Sequence, residues 1–379
     1  MRFIIGSLFA LFIVGCYQSV GPKEDKTDTG SGDGGSDTDS WAHTDGDTDA
    51  DTDSDTDADA DTDTDSDSDT DIDSDIDTDA DTDADTDTDT DTDTDVDTDS
   101  DTDTDTDCEG TIYFPDANFE SRVRELIFKY SGDILYSDVS EILVLNADLL
   151  EIKDIAGVQC MTSLKELYLN NNQIVDLEPL TNLKNLTNLW LYDNQITDLS
   201  ALSGMTSLIV LALSTNEIGD LSHLSELKNL FYLHLASNSI NDLSPLSGLT
   251  SLAYLSIDSN NISDLSALSS LTSMMAISFI NNDISDIGAL SGLTNLTDIH
   301  CGSNSIVDLS PINGLTDLLY IDLSSNQIVD LTPLVTNTGI GSGDIVHIQD
   351  NPLECADSKT INDIAELESR GFTFFEHDC

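Results

Sequence analysis

Basic residues are scarce in this chain. It contains 12 Lys and Arg against 75 Asp and Glu, which gives a formal net charge of −63. Nucleic acids are held largely through their phosphates by Lys and Arg, so a chain of this charge repels them. The composition therefore excludes a nucleic-acid-binding protein and favours a neutral or basic partner.

Catalytic motifs are absent as well. The chain has no Gly-x-x-x-x-Gly-Lys phosphate-binding loop, no His-Glu-x-x-His metal motif and no Gly-x-Ser-x-Gly nucleophile turn. Its six histidines are scattered rather than grouped. We therefore expect no enzymatic activity, no cofactor and no specific metal site.

The chain also lacks an apolar run long enough to span a bilayer, which takes about 20 residues. Residues 3–14 are apolar and follow Arg2, and a small residue comes next, which is typical of a secretory signal. The tetrapeptide Ile13-Val14-Gly15-Cys16 resembles the lipobox of bacterial lipoproteins. The resemblance implies a signal peptide at residues 1–15, cleavage before Cys16 and lipidation of Cys16. An ordinary signal peptide is the alternative.

About half of the acidic residues lie in one segment. Residues 21–107 carry 37 Asp and one Glu against two Lys, and every odd position from Asp45 to Asp107 is Asp. Such a segment cannot bury enough apolar area to offset its ordering entropy, and its charges repel. We predict a disordered acidic linker at residues 16–107. Its many carboxylates should attract calcium. The binding should be weak and non-specific, because the run lacks the bidentate glutamate of a specific calcium loop.

A 22-residue repeat occupies the rest of the chain. Each repeat follows the pattern Leu-x-x-Leu-x-Leu-x-x-Asn-x-Ile-x-Asp-Leu, with one asparagine per copy. The asparagines are Asn172, Asn194, Asn216, Asn238, Asn260, Asn282, Asn304 and Asn326. A fixed period of this length indicates a stack of structural units rather than one central core.

Each unit predicts a strand followed by a tight turn. The alternation Leu189-x-Leu191 indicates a short strand with one buried face. The asparagine that follows can bond backbone groups that the turn leaves unpaired, and so forms a ladder between units. The second half of the unit predicts a helical turn, with serines such as Ser200 as N-caps.

The pattern resembles the leucine-rich repeat, in the 22-residue bacterial form of internalin-like proteins, over residues 142–379. The resemblance implies an α/β solenoid with a concave parallel β-sheet and short 3-10 or helical turns on the convex side. The repeats fill residues 142–340. Because the ends of a stack expose leucines, we predict helical caps at residues 108–141 and 341–379.

Cysteines flank both predicted caps. Export to an oxidising environment would allow disulfides, and pairing in sequence order would join Cys108 to Cys160. The same order would join Cys355 to Cys379, with free buried thiols as the alternative. Cys301 replaces a repeat leucine, and we expect a small buried hydrophobe rather than a nucleophile.

The residues between the strand leucines should face the open concave side, where solenoids usually bind partners. Exposed aromatic residues on a rigid face are typical interface anchors, although aromatic residues also suit β surfaces in general. The predicted partner-binding residues form one cluster of Tyr168, Trp190 and Tyr192, a second of Tyr232, His234 and Tyr254, and Tyr320 further along.

The histidines on predicted strands, His234 and His300, are three repeats apart, or about 15 Å, which is too far for one metal ion. We expect them to be exposed on the sheet. The sequence thus predicts a monomeric, lipid-anchored protein at an outer membrane or cell surface, whose concave face binds a protein or glycan. The alternative is a structural envelope component whose acidic run gathers calcium.

Overall fold

The computed structural model describes residues 108–379, so the predicted signal peptide, Cys16 and the acidic linker lie outside the described residues. One open sheet of 11 parallel strands in sequence order dominates the fold, which confirms the predicted solenoid. The strands are β1 (Val144–Asn146), β2 (Glu166–Tyr168), β3 (Asn188–Trp190), β4 (Val210–Ala212), β5 (Tyr232–His234), β6 (Tyr254–Ser256), β7 (Ala276–Ser278), β8 (Asp298–His300), β9 (Tyr320–Asp322), β10 (Ile345–His347) and β11 (Phe374–Glu376).

Equivalent residues of successive repeats lie side by side in the sheet. Leu167 pairs with Leu189, and Leu189 pairs with Leu211. The middle residue of each strand from β1 to β10 is buried, so the apolar column runs the length of the solenoid. The predicted repeats account for β1 to β9, and the strand pattern recurs once more at residues 346–348, where β10 lies. The sequence did not predict β11, which the chain adds after the last helix.

The asparagines form a ladder inside the turns that follow the strands. Asn194 Nδ2 donates to the carbonyls of Leu169 and Leu191 at 3.0 and 3.1 Å. Its Oδ1 accepts from the backbone N–H of Ile174 at 3.0 Å. Equivalent bonds recur from Asn172 to Asn326, and Asn351 continues them. Each amide therefore links two neighbouring coils.

Short helices line the convex side. The 3-10 helices are Val158–Cys160, Glu178–Leu180, Ser200–Leu202, Ser222–Leu224, Ser244–Leu246, Ser266–Leu268, Gly288–Gly292 and Ser310–Ile312, and the next turn is the α-helix Thr332–Thr336. The prediction of serine N-caps is wrong. Ser200 is already helical, and Asp198 Oδ1 accepts its N–H at 2.8 Å, which lowers the pKa of Asp198. The repeat aspartate reaches the open N–H two residues ahead, as in an Asx turn.

The N-terminal end is covered by two helices, α1 (Ala117–Leu126) and α2 (Tyr136–Val139). Asp116 accepts the N–H groups of Asn118 and Phe119 at 3.0 and 3.1 Å, as an N-cap does. Phe119 and Val123 are buried against the first coil. The predicted disulfide from Cys108 to Cys160 fixes the start of this cap to the first convex turn.

The C-terminal end is covered by the helix Ser358–Ser369, which Asp357 caps. Ile364 and Leu367 are buried, and the second predicted disulfide joins Cys355 to Cys379. The helix ends at Ser369, and Gly371 follows the C-cap residue Arg370 with a φ of +76°, which suits glycine. Within residues 108–379, no helix combines the length and apolarity that a membrane span would require.

Candidate functional site

The concave face is formed by the first and third residues of each strand, on either side of the buried middle residue. Side chains at equal positions stack along the sheet because the strands are in register. Neighbouring strands are about 4.8 Å apart, so large side chains on adjacent strands must lie against one another. This spacing determines which predicted residues reach solvent.

The predicted N-terminal cluster contains one stacked pair, Tyr168 and Trp190, and Tyr192 follows two residues after Trp190. The rings of Tyr168 and Trp190 stack with centroids 6.0 Å apart and planes within 13°. The hydroxyl of Tyr168 donates to Glu166 Oε2 at 2.8 Å, and this bond raises the pKa of Tyr168. The hydroxyl of Tyr192 accepts from Asn171 Nδ2 at 2.5 Å. All three aromatic residues remain partly exposed.

The second predicted cluster forms around another stacked pair. The rings of Tyr232 and Tyr254 are 4.4 Å apart with planes within 10°. Tyr232 is partly exposed, but Tyr254 exposes only 5% of its surface, and burial raises the pKa of Tyr254 to about 12. Tyr254 therefore supports Tyr232 from one side and offers little surface of its own, contrary to the predicted exposure.

The prediction that His234 and His300 are exposed is wrong. They expose 6% and 8% of their surfaces, and burial lowers the pKa of each to about 4. A large neighbour on the adjacent strand covers His300, since the ring of Tyr320 stacks on it at 4.4 Å. Both histidines are neutral at pH 7.

The structure also reveals an apolar patch that the strand alternation missed. Ile209 and Phe231 immediately precede β4 and β5 and expose 44% and 36% of their surfaces. The Phe231 ring lies 5.0 Å from that of Tyr232 and 5.5 Å from that of Tyr254. We call Ile209, Val210, Phe231, Tyr232 and Met275 the central patch. Comparing repeats would have found it, because Lys165 and Thr187 hold the same position in earlier copies.

Tyr320 is the centre of a third group, at β8 to β10. His300 lies on one side of its ring at 4.4 Å and His347 on the other at 5.6 Å. Burial raises the pKa of Tyr320 to about 12, and the charges of Asp322 and Asp298 add to the effect. Tyr320 is thus a partly exposed aromatic residue in a negative environment.

The arrangement offers surfaces for recognition. Within the part of the chain that the structure describes, no three His, Cys, Asp or Glu side chains could together hold a metal ion. Cys301 is a free buried cysteine, and burial raises the pKa of its thiol well above the usual value, as suits a packed side chain.

Comparisons with known proteins agree with the fold. Residues 184–226 and 228–270 match the family described as "Leucine Rich repeats (2 copies)". No curated protein matches the chain significantly. Two solved structures share the fold alone. A leucine-rich-repeat protein of Leptospira interrogans is 23% identical with a TM-score of 0.57, over 64% of this chain and 62% of that one. The functional domain of InlJ from Listeria monocytogenes, which includes a cysteine ladder, is 24% identical with a TM-score of 0.55, over 70% and 60%.

A solved structure of internalin C2 from Listeria monocytogenes is more similar in sequence. It is 35% identical to this chain, with a TM-score of 0.54, and the alignment covers 57% of this chain and 94% of internalin C2. Nearly all of the chain in that solved structure is therefore matched here. The chain belongs to the internalin-like family of bacterial leucine-rich-repeat proteins.

Proposed function

We propose that this protein is a non-enzymatic binding module whose concave face captures a protein partner. Leucine-rich-repeat solenoids generally present such a face to proteins. The observation that carries the proposal is the central patch, where the apolar side chains of Ile209 and Phe231 remain in solvent beside the partly exposed Tyr232. Contiguous exposed apolar side chains at the middle of a rigid sheet favour an interface.

The ring geometry favours a protein over a glycan. Tyr168 stacks on Trp190, and Tyr232 stacks on Tyr254, so one face of every ring is covered by its partner and only the outer faces of each pair are left for a sugar. A sugar that packs on an aromatic residue needs a free ring face. Ring edges and aliphatic side chains instead suit the mixed packing of a protein interface. Because the stacks are rigid before binding, little side-chain entropy is lost on association.

Removing the central patch tests the proposal. In the variant Ile209→Ser/Phe231→Ser, we expect partner affinity to fall by about 2 kcal/mol, or roughly thirtyfold, because two central anchors are lost. The partner is first isolated on the immobilised protein from the organism's natural surroundings, and its affinity is then measured by titration.

A matched control is Val307→Ser/Val329→Ser, which removes two valines with 51% and 52% exposure away from the strands. This control should bind as the unaltered protein does. Equal affinity of the central-patch variant and the control would contradict the proposed interface.

We further propose that the protein is exported and anchored through a lipid on Cys16, with residues 16–107 as a linker. The lipobox-like residues before Cys16 support the anchor. Two disulfides support an oxidising compartment. Metabolic labelling with palmitate should mark the protein and leave the variant Cys16→Ala unlabelled. Equal labelling of the two proteins would contradict the anchor.

A further inference from the structure

Basic side chains are absent from most of the strands of the concave face in the described residues. Residues 229–358 contain neither Lys nor Arg, and they include all strands from β5 to β10. Six of the nine Lys and Arg of residues 108–379 lie instead within residues 122–184, around the first three strands. Residues 122–184 carry ten Asp and Glu against these six cations, whereas the 14 Asp and Glu of residues 229–358 have no Lys or Arg in that segment to offset them.

Two carboxylates on β8 and β9 lack a cation within the described residues. None of the ion pairs there involves Asp298 or Asp322. Asp298 exposes 9% of its surface and accepts from Thr297 Oγ1 at 2.6 Å, while burial raises its pKa. Asp322 accepts from the backbone N–H and the hydroxyl of Ser324 at 3.0 and 2.6 Å. Neutral donors hold both groups but do not neutralise them.

An aromatic side chain lies beside these carboxylates. Asp298 pairs in register with Tyr320, and Asp322 follows Tyr320 by two residues on the same face of β9. The imidazoles of His300 and His347 extend the ring system on either side of Tyr320. Flat rings and carboxylates are thus combined within two adjacent strands.

This combination matches a guanidinium group. Because His300 and His347 cover the two sides of the Tyr320 ring, the two carboxylates supply the main contacts. Arginine is planar and donates two parallel hydrogen bonds to a carboxylate, whereas a lysine ammonium is a strongly hydrated point charge. We infer that the concave face from β8 to β10 receives an arginine side chain from a basic segment of the partner protein. The inference rests on the concave-face binding proposed above, and it adds the chemistry and the position of one contact.

This difference in charge then orients the partner. A basic segment is attracted more strongly to β8–β10 than to the first strands, where Lys and Arg offset more than half of the acidic charge. The central patch and the N-terminal cluster are left to contact apolar parts of the same partner. Electrostatic complementarity of this kind sets orientation and association rate more than affinity.

A photoreactive peptide tests the inference on the full chain. The probe is a hexaarginine peptide that carries one benzoylphenylalanine, and its crosslinks are located by peptide mass mapping after irradiation. We expect crosslinks on β8 to β10, reduced about tenfold in the variant Asp298→Asn/Asp322→Asn. Crosslinks to the acidic residues 45–107 measure the non-specific attraction in the same sample and should not change.

The control variant Asp264→Asn/Asp308→Asn removes the same charge from two convex turns. An asparagine oxygen can still accept the N–H groups of Ser266 and Ser310 that these aspartates bind. Crosslinking at β8 to β10 should persist in this control. If crosslinks there are absent, or survive the loss of Asp298 and Asp322, the inference fails. Equal crosslinking by hexalysine would overturn the assignment to arginine. Either failure leaves the central-patch experiment untouched, so the two proposals fail separately.

Discussion

Replacing Asn260 with alanine is expected to lower the free energy of unfolding by about 3–5 kcal/mol, because it leaves several buried polar groups without partners. The Asn260 amide donates to the carbonyls of Leu235 and Ile257 at 3.0 and 3.1 Å. Its oxygen accepts from the N–H of Ile240 at 3.0 Å. Water does not reach this position easily, since Asn260 is only 9% exposed.

The measurement is urea unfolding followed by circular dichroism. Asn261→Ala is a close control, because Asn261 is the next residue, is exposed and lies outside the ladder. Surface substitutions of this kind usually change stability by less than about 0.5 kcal/mol. Equal unfolding midpoints for the two variants would show that the ladder contributes no more than a surface amide does.

The ladder also explains why the fold was predictable from the sequence. Asn194 bonds residues 20 and 25 positions earlier, so one 22-residue period fixes both the local turn and the contact with the previous coil. The caps were predictable for a related reason. Buried leucines need a cover at each end, and Asp116 and Asp357 precede amphipathic helices that provide one.

The face was less predictable, because alternation shows which side chains leave the core but not which neighbours cover them. Tyr254 and His300 point to the concave side and are nevertheless buried, since aromatic rings on adjacent strands lie against them. Phe231 was missed for the opposite reason. It precedes its strand, so the alternation does not assign it to either face, and its position follows only from the register of β5.

The aromatic residues of the concave face have two different roles, which the sequence pattern does not distinguish. Phe231 and Tyr232 present surface to a partner, whereas Tyr254 holds Tyr232 in a fixed stack. A substitution at Tyr254 should therefore affect both stability and binding, and a substitution at Phe231 should affect binding alone. The buried histidines also support the face without presenting surface to a partner. Because they titrate, the stability of the solenoid depends on pH.

Acidification from pH 7 to pH 5 is expected to destabilise the solenoid through His234 and His300. Their folded-state pKa of about 4 lies below the ordinary 6.5, so the unfolded chain takes up protons first as the pH falls. Stability is full above the ordinary pKa and is lost as the pH falls from about 6.5 towards 4. At pH 5 the loss is about 2 kcal/mol for each histidine, at about 1.4 kcal/mol per pH unit.

Three carboxylates oppose this effect. Burial raises the folded-state pKa of Asp258, Asp298 and Asp344, so the folded state gains stability as the pH falls through the folded-state pKa of each group. The net loss should therefore be smaller than the roughly 4 kcal/mol that the two histidines lose together, and it is measured from urea midpoints at pH 7, 6 and 5. The variant His234→Gln/His300→Gln retains these carboxylates but cannot titrate at the two histidine positions. Its stability should stay level or rise between pH 7 and 5, and a fall as large as that of the unaltered protein would rule out the histidines as the cause.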